Sequence, residues 1–304
     1  VLASVVVATS LFLAGPGRSY ARVVFFDVGQ GDSTLLELPR RQYVLVDAGP
    51  GPASAAQTGR PSVRDAGSDV VLRHLRREGV TRLIALVVTH AHADHYGGAV
   101  SVLLGVRVDT LILPVGRSSD VRLTNLIAVA RRRGTCVREV SWGETLRVGD
   151  TLLTVLWPDP AVTAEWSENN CSVVLRGTVS GHDLMLTGDI ENRAESRLCT
   201  MPRLLPAGLL KVPHHGSRTS STEEFVRRVS PELAVVQVGE RNRYGHPDQQ
   251  TLDRLETAGA FVVRTDVDGA VVVDLREGRA VARCVVSGRE CVLRGHGEGT
   301  GASR

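Results

Sequence analysis

Lysine is almost missing from this chain. Lys211 stands alone against a large arginine content, and the 304 residues sum to a formal net charge of +3. A base-composition bias in the coding genome accounts for the imbalance, and so small a net charge is no argument for nucleic-acid binding. Paired cysteines are missing too. The five cysteines stand at 136, 171, 199, 284 and 291 with no C-x-x-C spacing, which excludes a small structural zinc knuckle. Cys284 and Cys291 flank Gly288 and are spaced to bridge a hairpin in an oxidising compartment; the others read equally well as buried free thiols. Charge is absent from Val1 to Ala14, before Pro16-Gly17-Arg18 ends the apolar run. That run is shorter than the roughly 20 residues that span a bilayer. It also lacks the charged n-region of a signal peptide. It reads as the tail of a transmembrane helix or a linker over 1–19, with an ordinary buried or amphipathic segment as the alternative. At 23% charged and 42% hydrophobic, the chain suits one large folded domain or two modest ones.

What the chain does hold is concentrated in Thr89-His90-Ala91-His92-Ala93-Asp94-His95-Tyr96-Gly97-Gly98. The run Leu83 to Val88 before it is apolar and β-branched, the pattern of a buried strand. His90 and His92 can point the same way from an extended or tightly turned segment. Asp94 and His95 follow in the next turn and can face the same centre. Imidazole nitrogens and carboxylate oxygens are what a borderline divalent ion such as zinc accepts. Ala91 and Ala93 keep the loop compact, and Gly97-Gly98 let a helix begin close to it. A His-rich surface turn is the plain alternative, and it leaves the strand and the glycines unexplained.

Further on, Leu186-Thr187-Gly188-Asp189 places an aspartate at the end of an apolar strand, where it can serve as a ligand or cap the next helix. A strand over 208–212 runs into Pro213-His214-His215-Gly216-Ser217, and Tyr244-Gly245-His246-Pro247 reads as a loop. Asp268-Gly269 predicts a hairpin that pairs Phe261 to Arg264 with Ala270 to Asp274. Gly51 to Asp69 reads as a surface loop, 20–294 as the folded domain and 295–304 as a disordered tail. Strands and helices in two comparable halves fit two sheets flanked by helices.

His90 to His95 resembles the His-x-His-x-Asp-His motif of the metallo-β-lactamase-fold hydrolases. The resemblance implies an α/β fold, an αββα sandwich of two mixed sheets, with a site for two divalent ions at one sheet edge. It implies His90 and His92 on the first ion and Asp94 and His95 on the second. Asp189 would bridge, and His214 would be the last ligand, with His215 competing for that place. Asp47 would lie beneath the site and orient its ligands. The family's further histidine between Asp94 and Asp189 has no counterpart in Glu168-Asn169-Asn170-Cys171-Ser172, and His182 sits at a turn. The first ion would then be held weakly, or would lean on water and Asn170.

A wider set resembles one branch of that superfamily, the C-terminal domain of the ComEC family of competence DNA-uptake channel proteins. The set is Phe26 to Asp32, Asp47-Ala48-Gly49, the histidine loop, Asn170-Cys171-Ser172, Thr187-Gly188-Asp189, Lys211 to Ser217 and Tyr244 to Pro247. This implies a domain on the extracytoplasmic side of the cell membrane, joined to the channel portion of its parent and working with other competence proteins. There it would degrade the DNA strand that is not imported, with zinc or manganese activating a hydroxide for attack on phosphorus. Asp94 would belong to the catalytic set, and His215 or His246 would protonate the leaving oxygen or steady the phosphate. Asp27, Gln30, Asp32, Asp47, Asn170, Ser172, Lys211, Ser217 and Tyr244 would support the ligands or meet the substrate. Arg218, Arg241 and Arg243 would suit a polyanion at the mouth. Two alternatives stay open: a hydrolase of a small phosphodiester or other ester, and a catalytically weak domain that binds DNA or gates the channel.

Overall fold

The computed structural model describes residues 19–51, 64–161, 166–201 and 205–294. The apolar Val1 to Ala14 run, the 295–304 tail and most of the 51–69 loop lie outside them. Among the described residues no helix is long and apolar enough to cross a membrane.

In chain order the strands are β1 (Ala21–Phe25), β2 (Thr34–Leu38), β3 (Gln42–Val46), β4 (Arg82–Val87), β5 (Arg107–Pro114), β6 (Cys136–Val140), β7 (Thr145–Val148), β8 (Thr151–Trp157), β9 (Val174–Val179), β10 (His182–Leu186), β11 (Leu209–Lys211), β12 (Leu233–Val236), β13 (Phe261–Arg264), β14 (Val271–Arg276), β15 (Arg279–Cys284) and β16 (Glu290–Arg294). They form two mixed sheets, ordered β16-β15-β14-β1-β2-β3-β4-β5-β6 and β13-β12-β11-β10-β9-β8-β7. The near-continuous apolar runs of the central strands follow from being covered on both faces. In β2, Leu36 faces the other sheet while Leu35 packs against the outer helices. One core fills the space between the sheets, and one lies under the helices on each outer side. The layering is αββα, as expected.

The expected hairpin across Asp268-Gly269 does not form. β13 is an edge strand parallel to β12 in the smaller sheet, whereas β14 pairs with β1 and β15 in the larger one. Thr265–Asp268 is a helical turn that carries the chain from one sheet to the other. The DG signal is local, and the inter-sheet core overrides it: Val263 and Val271 both pack there from opposite sides. β15 and β16 form a hairpin, and Cys284 and Cys291 within it are free thiols.

β3 and β4 run parallel in the large sheet, and β10 to β13 run parallel in the small one. Their carboxyl ends meet at one edge, where open α/β sheets bind ligands. Close backbone contact there requires glycine. A Cβ on Gly98 would meet the Ala48 carbonyl oxygen, and one on Gly31 would meet that of Asp94.

Candidate metal centre

Asp47 ends β3 in the left-handed region, with φ 57°. Its carboxylate accepts the Thr89 amide at 2.8 Å, the Thr89 hydroxyl at 2.7 Å and His95 Nδ1 at 2.8 Å. These bonds fix two tautomers. In its neutral form His95 carries its proton on Nδ1, so Nε2 presents a lone pair. Thr89 has one hydroxyl proton and gives it to Asp47. His90 Nδ1, 3.1 Å from that oxygen, must therefore donate, which leaves His90 Nε2 as a lone pair as well. His215 donates from Nδ1 to the Gln237 carbonyl oxygen at 2.9 Å, and Asp32 Oδ1 lies 3.2 Å from the same nitrogen. Its Nε2 is the free nitrogen too.

All three lone pairs face Asp189, which is buried past the end of β10 with its amide donating to Ser172 Oγ at 3.1 Å. Asp189 Oδ2 lies 3.1 Å from His95 Nε2, 3.3 Å from His215 Nε2 and 4.0 Å from His90 Nε2. Asp94 Oδ2 is 3.5 Å from His215 Nε2. Tetrahedral bonds of about 2.1 Å set neighbouring donors roughly 3.4 Å apart, close to this spacing. His90 Nε2, His215 Nε2 and Asp189 Oδ1 are buried without a hydrogen-bond partner among the described residues. The sets His90–His95–Asp189 and Asp94–His95–His215 can each hold an ion. Ring nitrogens aimed at a carboxylate need a proton or a metal ion between them, and the close spacing of this donor set fits divalent metal.

Before an ion enters, protons would hold its place. Burial and the neighbouring His95 charge push His90 well below its ordinary pKa, so it stays neutral. Burial opposes charge on His95 and His215, but carboxylates led by Asp189 outweigh it and raise both well above the usual range. Burial likewise opposes the ionised form of Asp189, yet His215 and His95 hold it well below a normal carboxylate. Lys211, buried on β11, donates to the Gly188 carbonyl oxygen at 2.9 Å and contacts Asp32, with Asp189 Oδ1 at 3.6 Å. Burial lowers its pKa, and Asp32 and Asp189 more than restore it.

His215, the competing choice, lies beside the carboxylates where His214 was expected. The two histidines do not sit on a strand: His214 (φ 48°), His215 (φ 53°) and Gly216 (φ 77°) form a left-handed turn after β11. Successive side chains then diverge by roughly 100° rather than pointing to opposite faces. His215 reaches the carboxylates, while His214 turns to Glu191 at 3.5 Å and Asn169 at 3.3 Å on the outer wall. His92 packs edge-on against His90 with ring centroids 4.6 Å apart, beside the tight donor groups rather than in them.

Asn170 does not face the donor cluster. Its Oδ1 accepts the Glu191 and Ala194 amides, and its Nδ2 donates to Ser167 and Glu191, so it anchors the helix Asn192–Leu198. His182 bonds the Arg276 carbonyl oxygen, away from the cluster. Asp27 is exposed and receives the Gly29 amide, and Ser217 pairs with Thr219. Gln30 accepts the Gly239 amide, and with Tyr244 and His246 it lines the cavity of about 370 Å³ over Asp94, Asp189 and His215. Burial and the neighbouring His214 and His215 lower His246 to about 4.

Sequence reasoning passed over three supports. Glu168 accepts the Ala91 amide at 3.2 Å and pairs with Arg117 and Arg122, pinning the histidine loop. Glu191 braces His214. Gln237 holds His215 by its backbone, while its side chain donates to the Phe26 and Ser33 carbonyl oxygens.

Residues 26–240 match the family model of the Metallo-beta-lactamase superfamily. The chain belongs to that superfamily. Among curated proteins, ComE operon protein 3 of Bacillus subtilis (strain 168) is 34% identical over 264 residues, which cover 86% of this chain and 34% of the relative. Competence protein ComA of Neisseria gonorrhoeae is 31% identical over 264 residues, covering 86% and 33%. The chain thus spans about a third of the length of these relatives. Of solved structures, CmlA, a diiron β-hydroxylase from Streptomyces venezuelae, superposes with a TM-score of 0.53 at 17% identity, covering 91% of this chain and 54% of that one. That likeness concerns the fold alone.

Proposed function

We propose that residues 20–294 form a two-ion phosphodiesterase that cuts single-stranded DNA on the outer side of the cell membrane during DNA uptake. The observation that carries the hydrolase reading is the convergence of three imidazole lone pairs on Asp189, with Asp94 beside them. Competence proteins among the relatives support DNA as the substrate, the membrane channel portion of a parent protein as the neighbour, and other competence proteins as partners.

His90, His95 and Asp189 would hold one ion, with His92 at its open side; Asp94, His215 and Asp189 would hold the other. Zinc and manganese both suit this donor set. Such ions supply Lewis-acid stabilisation of a phosphate and a water acidified towards neutrality. The chain's own residues do the rest. Asp47 and Gln237 fix the tautomers of His95 and His215. Asp32 and Lys211 hold a compensated pair of charges behind the carboxylates. His246 is neutral near pH 7 and faces the cavity, so it offers a phosphate oxygen a hydrogen bond rather than a proton. Arg218, Arg241 and Arg243 stand exposed and draw in a polyanion.

The test is cleavage of end-labelled single-stranded DNA by the purified chain with manganese or zinc, beside an Asp94→Ala, His95→Ala double variant. Metal-dependent cleavage lost in the variant is expected. No cleavage by a folded, metal-loaded protein would refute the nuclease reading.

A further inference from the structure

Tyr244 is a large aromatic side chain left 53% exposed at the lip of the cavity. The loop beneath it is closed on itself. The Asn242 side chain donates to the Gly239 and His246 carbonyl oxygens and accepts the Tyr244 and His246 amides. With those four bonds made inside eight residues, the loop presents the tyrosine in one orientation. One face of the ring lies against His246, at 5.8 Å between centroids and 17° between planes. Over the ring also stands the guanidinium of Arg243, 4.9 Å from the centroid, with a bond to the Tyr244 hydroxyl at 2.9 Å. A planar cation resting on an exposed ring marks a surface where a planar π-system is favoured. A nucleobase has that shape, and its arrival frees Arg243 for a phosphate.

We propose that Tyr244 is the stacking platform for an unpaired base next to the scissile phosphate, and that it makes a single-stranded polynucleotide the preferred substrate over a bare phosphodiester. This rests on the phosphodiesterase reading above. A base held in a duplex cannot offer its face to a side chain, so the platform selects unpaired strands. Tyr244 is a specificity-determining residue here; it takes no part in the chemistry.

The experiment compares a thymidine 20-mer with an abasic tetrahydrofuran strand of the same length and charge. Anisotropy gives the affinity and end-label release gives kcat/KM, for the whole chain with manganese. Wild type should prefer the base-bearing strand about 5- to 150-fold, the range for one stacked base. Tyr244→Ala should reduce that ratio to near one, and Tyr244→Phe should keep the ratio. Arg218 and Arg241 act on both strands alike, so their attraction drops out. A preference that survives Tyr244→Ala overturns the proposal, as does equal treatment of the two strands by wild type, while DNA cleavage itself still stands. Failure of wild type to cut either strand defeats the phosphodiesterase reading and this proposal with it.

Discussion

Asp47→Asn separates the tautomer argument from simple loss of structure. The asparagine oxygen can still take the Thr89 amide now accepted at 2.8 Å, so that backbone contact survives. The new amide group faces His95 Nδ1, which lies 2.8 Å from Asp47 Oδ2. An amide donates, so His95 relieves the clash by moving its proton to Nε2, and the lone pair turned towards Asp189 is lost. To bind an ion the variant must force the proton back against that donor and forgo a hydrogen bond to a charged group worth about 1.5–3 kcal/mol. At about 1.4 kcal/mol per decade this is roughly a 10- to 150-fold loss of metal affinity, in line with what supporting bonds to metal histidines contribute. Metal-free protein would be titrated with manganese or zinc against a chelating indicator, with circular dichroism and a melt as fold controls. A folded Asp47→Asn protein whose metal affinity matches wild type within about threefold would refute the tautomer reasoning.

The neighbouring histidines should behave unequally. His215→Ala removes a donor from both carboxylate contacts and should lower bound metal per chain, whereas His214→Ala should leave it unchanged; elemental analysis of the loaded proteins distinguishes them. Chelation should destabilise the protein: free ion at 100 times its dissociation constant contributes about 2.7 kcal/mol, so melting should fall by roughly 5–10 °C. No shift would count against a site built into the folded state. Glu195 gives a pH signature away from the metal. Burial pushes it up to about 6, although it accepts the Ser221 and Thr222 amides. The folded state therefore holds that proton more tightly than the unfolded chain. Its contribution is full below about pH 4.5 and is lost as pH rises through about 6, a change of about 2 kcal/mol. Denaturant midpoints of wild type and Glu195→Gln across that window should diverge accordingly; a constant gap would exclude the effect.

The donors that share a short stretch were legible in the sequence. His90, Asp94 and His95 are set by local spacing after one strand, and Asp189 by its place at the end of another. The choice between His214 and His215 was not legible, because it depends on a left-handed turn that costs about 1–2 kcal/mol for each non-glycine residue. Tertiary bonds, including those to Gly188 and Gln237, help to hold that turn. Asn170 looked like a substitute ligand because its type and place fit, and only its bonds to the Glu191 and Ala194 amides show it occupied. Glu168 and Gln237 act across 77 and 211 residues of sequence, where no spacing rule reaches. The misplaced hairpin at Asp268-Gly269 has a related cause: a turn signal states how a chain bends, not which sheet receives it.

The site straddles a seam. His90, Asp94 and His95 hang from the nine-stranded sheet, and Asp189 and His215 from the seven-stranded one. Lys211 and Asp32 join across the same line. An ion taken up here works as a clasp between two halves that, away from this edge, meet largely through apolar side chains, which can slide. Slippage of one sheet against the other by an ångström would open the clasp before it exposed much core. Metal affinity is therefore a sensitive gauge of how the two sheets are registered, and a substitution deep in the core between them, such as at Leu36 or Leu184, can silence the site without touching a ligand.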